Sequence, residues 1–189
     1  MPKQAVKKKA AEMTLRDLLE VKLMVLYDAE QQLAKALPKI AKKAADADLK
    51  RSFERREKQA EGRVGRLERA FDALGVRSQR SAGEAVKGLI ADTEQVLKDV
   101  NGAAALDAAL VAAVQGAGHW EMAGYQSAIG WAKALDENEI AELLQETFDE
   151  EQEAGDELAE LAGSKIDEAA MGAAGAADEE EDEDEDEEL

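Results

Sequence analysis

Residues 19–40 read as one helix face. Leu19, Leu23, Leu26, Leu33, Leu37 and Ile40 recur at helical spacing, and the one position of that series that is not apolar holds Glu30. A helix with a stripe this long has to lay it against other helices, so the chain is committed to a helical bundle with a carboxylate directed at the core. The other apolar residues support this, being mostly Ala and Leu, while aromatics make up only 4% and the only prolines are Pro2 and Pro38. The expected fold class is all-α.

The chain has 189 residues, enough for one domain with tails, and no cysteine, which removes disulfides and thiolate ligation. No run approaches the roughly 18 apolar residues of a membrane span, and the N-terminus lacks the apolar core of a secretory signal, so a cytoplasmic address and no membrane partner are expected. Eleven acids at 178–188 account for much of the formal charge of −19 and leave about −8 elsewhere. A body that acidic is a poor non-specific nucleic-acid binder, although Lys3, Lys7, Lys8 and Lys9 form a short basic arm. The acidic tail suits solubility, loose collection of cations, or a basic partner.

Punctuation divides the chain into a basic flexible arm (1–13), a bundle (14–162) and a flexible, then acidic and disordered tail (163–189). Thr14 and Asp17 form an imperfect capping box for a first helix running to about Ala45, with a kink or restart expected near Leu37 because Pro38 lacks a backbone donor. A second helix ends at Gly75. Ser81 is placed to cap a shorter helix with Ala85, Leu89, Thr93 and Val96 on one face, and Asn101-Gly102 closes it. Two more long helices cover about 103–135 and 136–161. Short loops make each pair antiparallel, and the long link between the pairs can cross the whole bundle, which is the ferritin-like four-helix topology with one crossover.

Following alternate steps of three and four along each long helix gives one carboxylate per seam: Glu30, Glu57, Glu121 and Glu151. Four inward carboxylates cannot all ionise unaided in a low-dielectric core. A pair of metal ions would compensate them, oxygen ligation favours Fe or Mn over Zn, and Tyr27 is the expected hydrogen-bond support for Glu30. Glu57 is the weakest member, lying among Arg55, Arg56 and Lys58. His119, the single histidine, points far from Glu121 on a helix and is a doubtful ligand.

The segments "LYDAEQQLAKALPKIAKKAADADLKRSFE", "GHWEMAGYQSAIGWAKALDENEIAELL" and "LLQETFDEEQEAGDELAEL" resemble the YciE/YciF family of bacterial ferritin-like proteins over about residues 14–162. The resemblance implies a homodimeric bundle linked with stress responses and suspected of binding metal. It maps family carboxylates onto Glu30, Glu121, Glu150 and Glu151; these, with Glu57, are the candidate ligands of a two-ion Fe or Mn centre for iron oxidation or peroxide removal, a reaction that the family itself does not supply. The second helix departs from the family pattern, with Arg56, Gln59 and Arg63 at positions that commonly hold His, Glu and Gln or His; in the fourth, Gly155 replaces an acid or His. Guanidiniums are permanently charged and can bridge carboxylates. The alternative is therefore a metal-free dimeric structural or interaction bundle in which Arg56 and Arg63 neutralise the core acids.

Overall fold

The computed structural model describes residues 12–81 and 83–173; the lysine arm up to residue 11 and the acidic tail from 174 lie outside them. The described residues form helices and their connections, without strands. Helix α1 (Leu15–Ala41) starts at a complete capping box, in which Asp17 N–H donates to Thr14 Oγ1 (3.2 Å) and Thr14 N–H to Asp17 Oδ2 (2.7 Å). Helix α2 (Ala47–Leu74) starts at Asp46, whose side chain accepts from Asp48 N and Leu49 N, and stops at Gly75 with φ of 75°. The connection then runs through α3 (Glu84–Asp99) to the second long pair, α4 (Ala103–Ala134) and α5 (Asn138–Leu161). The pairs α1–α2 and α4–α5 pack together, α2 lies on α5 and α1 on α4, while α3 rests on α4 and α1. This is the all-α, ferritin-like bundle with a helical crossover.

Several local expectations change. Pro38 neither restarts nor ends α1, because it sits in the last turn, where its missing donor costs only the Ala34 carbonyl a partner before the helix stops at Ala41. Ser81 does not cap α3; its N–H donates to Met24 O (3.3 Å), and Gly83 is the N-cap residue without a side-chain bond. The covered face of α3 keeps Thr93 buried and Leu89 and Val96 half-buried as expected, but takes in Val86 in place of Ala85, which is exposed. Nor does flexible chain begin at 163. A π-turn (Ala162–Ile166) buries Ala162 and Ile166 against the core and carries helix on through 167–173.

The apolar core has two halves. One is built from Leu19, Leu23, Leu26, Leu67, Phe71 and Leu144, the other from Ile40, Leu49, Phe53, Leu110, Val114 and Leu158. Between them, at mid-height of the four long helices, lie buried charged side chains. A separate buried acid, Asp107, has a local task. Its two oxygens accept from Ala45 N (2.9 Å) and Asp46 N (2.8 Å) and fasten the α1–α2 loop to α4. Asp107→Ala strands both donors and should cost about 1–3 kcal/mol, read as a lower urea midpoint with an unchanged denaturant slope.

Candidate functional site

Helix α2 determines the character of the central layer. Its buried side runs Leu49, Phe53, Arg56, Ala60, Arg63, Leu67, Ala70 and Leu74, so the seam steps from Phe53 by three to Arg56 rather than by four to Glu57. Arg56 and Arg63 are 5% and 3% exposed and meet Glu30, Glu121 and Glu151, which are 1%, 3% and 1% exposed. Both guanidiniums converge on Glu151 of α5: Arg56 Nη1 donates to Oε1 (2.6 Å), and Arg63 Nη1 lies 2.5 Å from Oε2 as a charge contact. Glu30 of α1 accepts from the Tyr125 hydroxyl of α4 (2.7 Å). Glu30 Oε2 and Glu121 Oε1 have no protein hydrogen-bond partner.

The glycine of α4 that faces this layer is part of its construction. A Cβ at position 118 would overlap Glu151 Oε1 and approach Arg56 Nη1 to 3.9 Å, so only a bare backbone lets the ion pair lie against α4. Two fixed positive charges face three carboxyl groups, and a proton on the Glu30–Glu121 pair makes the set neutral. Burial pushes Glu30 up from its ordinary 4.5 to about 7, against the pull of Arg63 and the Tyr125 hydroxyl. Burial, then the charges of Glu30 and Glu151, hold Glu121 well above the usual range. Burial and the charges of Glu30 and Glu121 keep Tyr125 a neutral donor. For Arg63, burial works against the charge, but Glu30, Glu151 and Glu121 outweigh it and raise its pKa.

The candidates read from the sequence divide into two groups. Glu30, Glu121 and Glu151 come together in the layer, whereas Glu57 is half-buried and Glu150 turns to the α2–α5 seam, where it pairs with Arg66. Glu57 drops out because Arg56 takes the inward position beside it. Tyr27 donates to Glu68 at the surface (2.7 Å), and the supporting hydroxyl on Glu30 belongs to Tyr125. His119 is exposed, on the rim of an α4–α5 hollow lined by Arg56, Gly118, Gly155 and Asp156. Tyr125 and Gly118 were missed. The position of Tyr125 one turn beyond Glu121 was a usable signal, while nothing local distinguishes Gly118 from the exposed Gly116.

As arranged here, these residues do not fit a two-metal centre. Among the described residues no three carboxylate, histidine or cysteine side chains are grouped to hold a metal ion. Both Glu151 oxygens already face guanidiniums, and the two permanent charges would repel a cation entering between them.

A family model described as a domain of unknown function, DUF892, matches residues 14–171. The chain belongs to this family. Protein YciF of Escherichia coli strain K12 is 29% identical over 158 residues, covering 83% of this chain and 95% of YciF. The crystal structure of that E. coli stress protein superposes with a TM-score of 0.79 over 82% of this chain and 99% of its own. YcfI of Rhodopseudomonas palustris, described as a candidate structural protein, is 33% identical with a TM-score of 0.76, covering 77% of this chain and 93% of YcfI. The DUF892 assignment and the YciF likeness agree with the resemblance read from the sequence.

Two outcomes follow from the layer. A carboxyl whose folded pKa lies above its unfolded value binds its proton more tightly in the folded state, so its stabilising effect is complete below about pH 4.5 and is lost as pH rises through about 7. Tm should therefore fall between about pH 5 and 8, and fall less steeply in Glu121→Gln, as scanning calorimetry would show. Gly118→Ala should cost about 1–3 kcal/mol by overpacking. By contrast, Gly116→Ala, where a Cβ meets nothing within 4 Å, should gain roughly 0.5–1 kcal/mol in the same denaturation assay.

Proposed function

We propose that this DUF892 chain is a metal-independent structural or interaction bundle of the stress-protein type, in which Arg56 and Arg63 occupy the core positions that cations would otherwise take. The observation that carries this reading is the convergence of both guanidiniums on Glu151, beside Glu30 and Glu121. The description of YcfI as a candidate structural protein and of YciF as a stress protein supports it. The reading includes self-association as a homodimer, implied by the family resemblance, and keeps the cytoplasmic address expected from the sequence. Iron oxidation or peroxide removal at a di-iron or di-manganese centre would require both arginines to leave the layer, stranding two charges in an apolar core.

Elemental analysis of protein purified without chelator tests the proposal. Substoichiometric Fe and Mn are expected, together with a loss of about 3–5 kcal/mol in Arg63→Leu, which leaves buried carboxylates uncompensated. About two Fe or Mn per chain, lost on Glu30→Ala, would overturn it. Light scattering should give twice the 20.4 kDa chain mass.

A further inference from the structure

The charged layer borders a cavity. About 40 Å³ of space adjoins Glu30, Arg63 and Glu121, walled by apolar side chains of α1, α3 and α4 that include Leu37, Ile90 and Val114. Ala36, Ile40, Ile90 and Thr93 also wall a neighbouring hollow of about 240 Å³ in the α1–α3 seam, whose residues include Gln32, Lys35 and Glu94. The cavity is therefore walled by both charged and apolar side chains and adjoins a wider space between two helices. α3 is the more loosely held of these two, with only Val86 and Thr93 buried.

The charged wall is not saturated. Glu30 Oε2 and Glu121 Oε1 are buried acceptors without a protein partner, on the side of the cavity opposite the unpartnered guanidinium donors Arg56 Nε, Arg63 Nε and Arg63 Nη2. Burying such acceptors unmatched is costly. Two guanidiniums offset two of the three carboxylates, and the proton that neutralises the Glu30–Glu121 pair is the one charge a bound cation can replace while the layer stays neutral. A hydrated ion is poorly suited to apolar walls. A primary ammonium on a short aliphatic stem suits the carboxylate side of the cavity, offering three N–H donors to two acceptors, a single charge in place of the proton, and methylenes for the apolar walls.

We propose that this cavity is a binding site for a short-chain primary alkylammonium, its head on Glu30 Oε2 and Glu121 Oε1 and its stem along Leu37, Ile90 and Val114. The site rests on the reading that arginines rather than metal ions hold the layer. Calorimetric titration of the full chain with n-butylammonium tests it, with tetramethylammonium and n-butanol as comparison probes. Expected are one site per chain, a raised Tm with butylammonium, and at least tenfold weaker binding of both comparison probes. Glu121→Gln should weaken butylammonium at least tenfold. So should Ile90→Trp, which fills the cavity from its α3 wall without removing a charge and should leave the helical circular dichroism unchanged. Equal binding of n-butanol, equal binding by both variants, or no heat and no Tm shift with butylammonium would overturn the site. If the protein is also metal-free, the ion-pair reading stands and this inference alone falls; stoichiometric metal overturns both.

Discussion

The rest of the bundle is arranged around Glu151, held between Arg56 and Arg63. Two arginines seven residues apart on α2 occupy inward positions on either side of Ala60, and both reach the same carboxylate of α5. Such a cluster is expensive to desolvate, and an apolar replacement of similar volume would often be as stable or more so. What it imposes is register. If α2 slid one heptad along α5, the apolar seams would still meet, but the guanidiniums would face the levels of Leu144 or Leu158. An all-apolar layer would tolerate that slip; this one opposes it strongly.

The charge pattern of the layer also orders its hydrogen bonds. Because the guanidiniums are directed at Glu151, Glu30 takes its neutral donor from Tyr125, and at Glu121 burial and like charge outweigh the pull of Arg63 and Arg56 and favour holding a proton. The layer is thus an arginine-rich side toward α2 and α5 and a protonatable side toward α1 and α4. The exposed ion pairs, such as Arg55 with Glu157, lie in water and contribute little by comparison.

Much of this was legible in the sequence because it depends on periodicity. The seams of α1, α4 and α5 predicted Glu30, Glu121 and Glu151 as inward, and their regular spacing is the reason. The α2 seam failed at two positions. From Phe53 a step of four gives Glu57 and from Ala60 a step of four gives Val64, whereas the buried residues are Arg56 and Arg63, each reached by a step of three; either branch returns to Ala60 and Leu67, and a preference for matching carboxylates selects the wrong one. Helix ends were legible where a capping side chain or a left-handed glycine supplies the stop, as at Thr14 and Gly75, and not where backbone contacts or burial decide. Gly83 at the start of α3 and Ile166 beyond the π-turn are of the second kind.

The same two arginines account for the difference between the fold and the chemistry that its topology suggests. A ferritin-like bundle brings acids from several helices to one level, and charge neutrality there can be met by metal ions, by protons or by cationic side chains. Metal ions require carboxylate oxygens free to bridge, and here both oxygens of Glu151 face guanidiniums. A side-chain cation also differs from an ion in being tethered: it cannot dissociate, and its position is fixed by the helix that carries it. Neutralisation by Arg56 and Arg63 is therefore built into the folding of α2 against α5, whereas the remaining charge, on the Glu30–Glu121 side, is the part of the layer that solution conditions can still change.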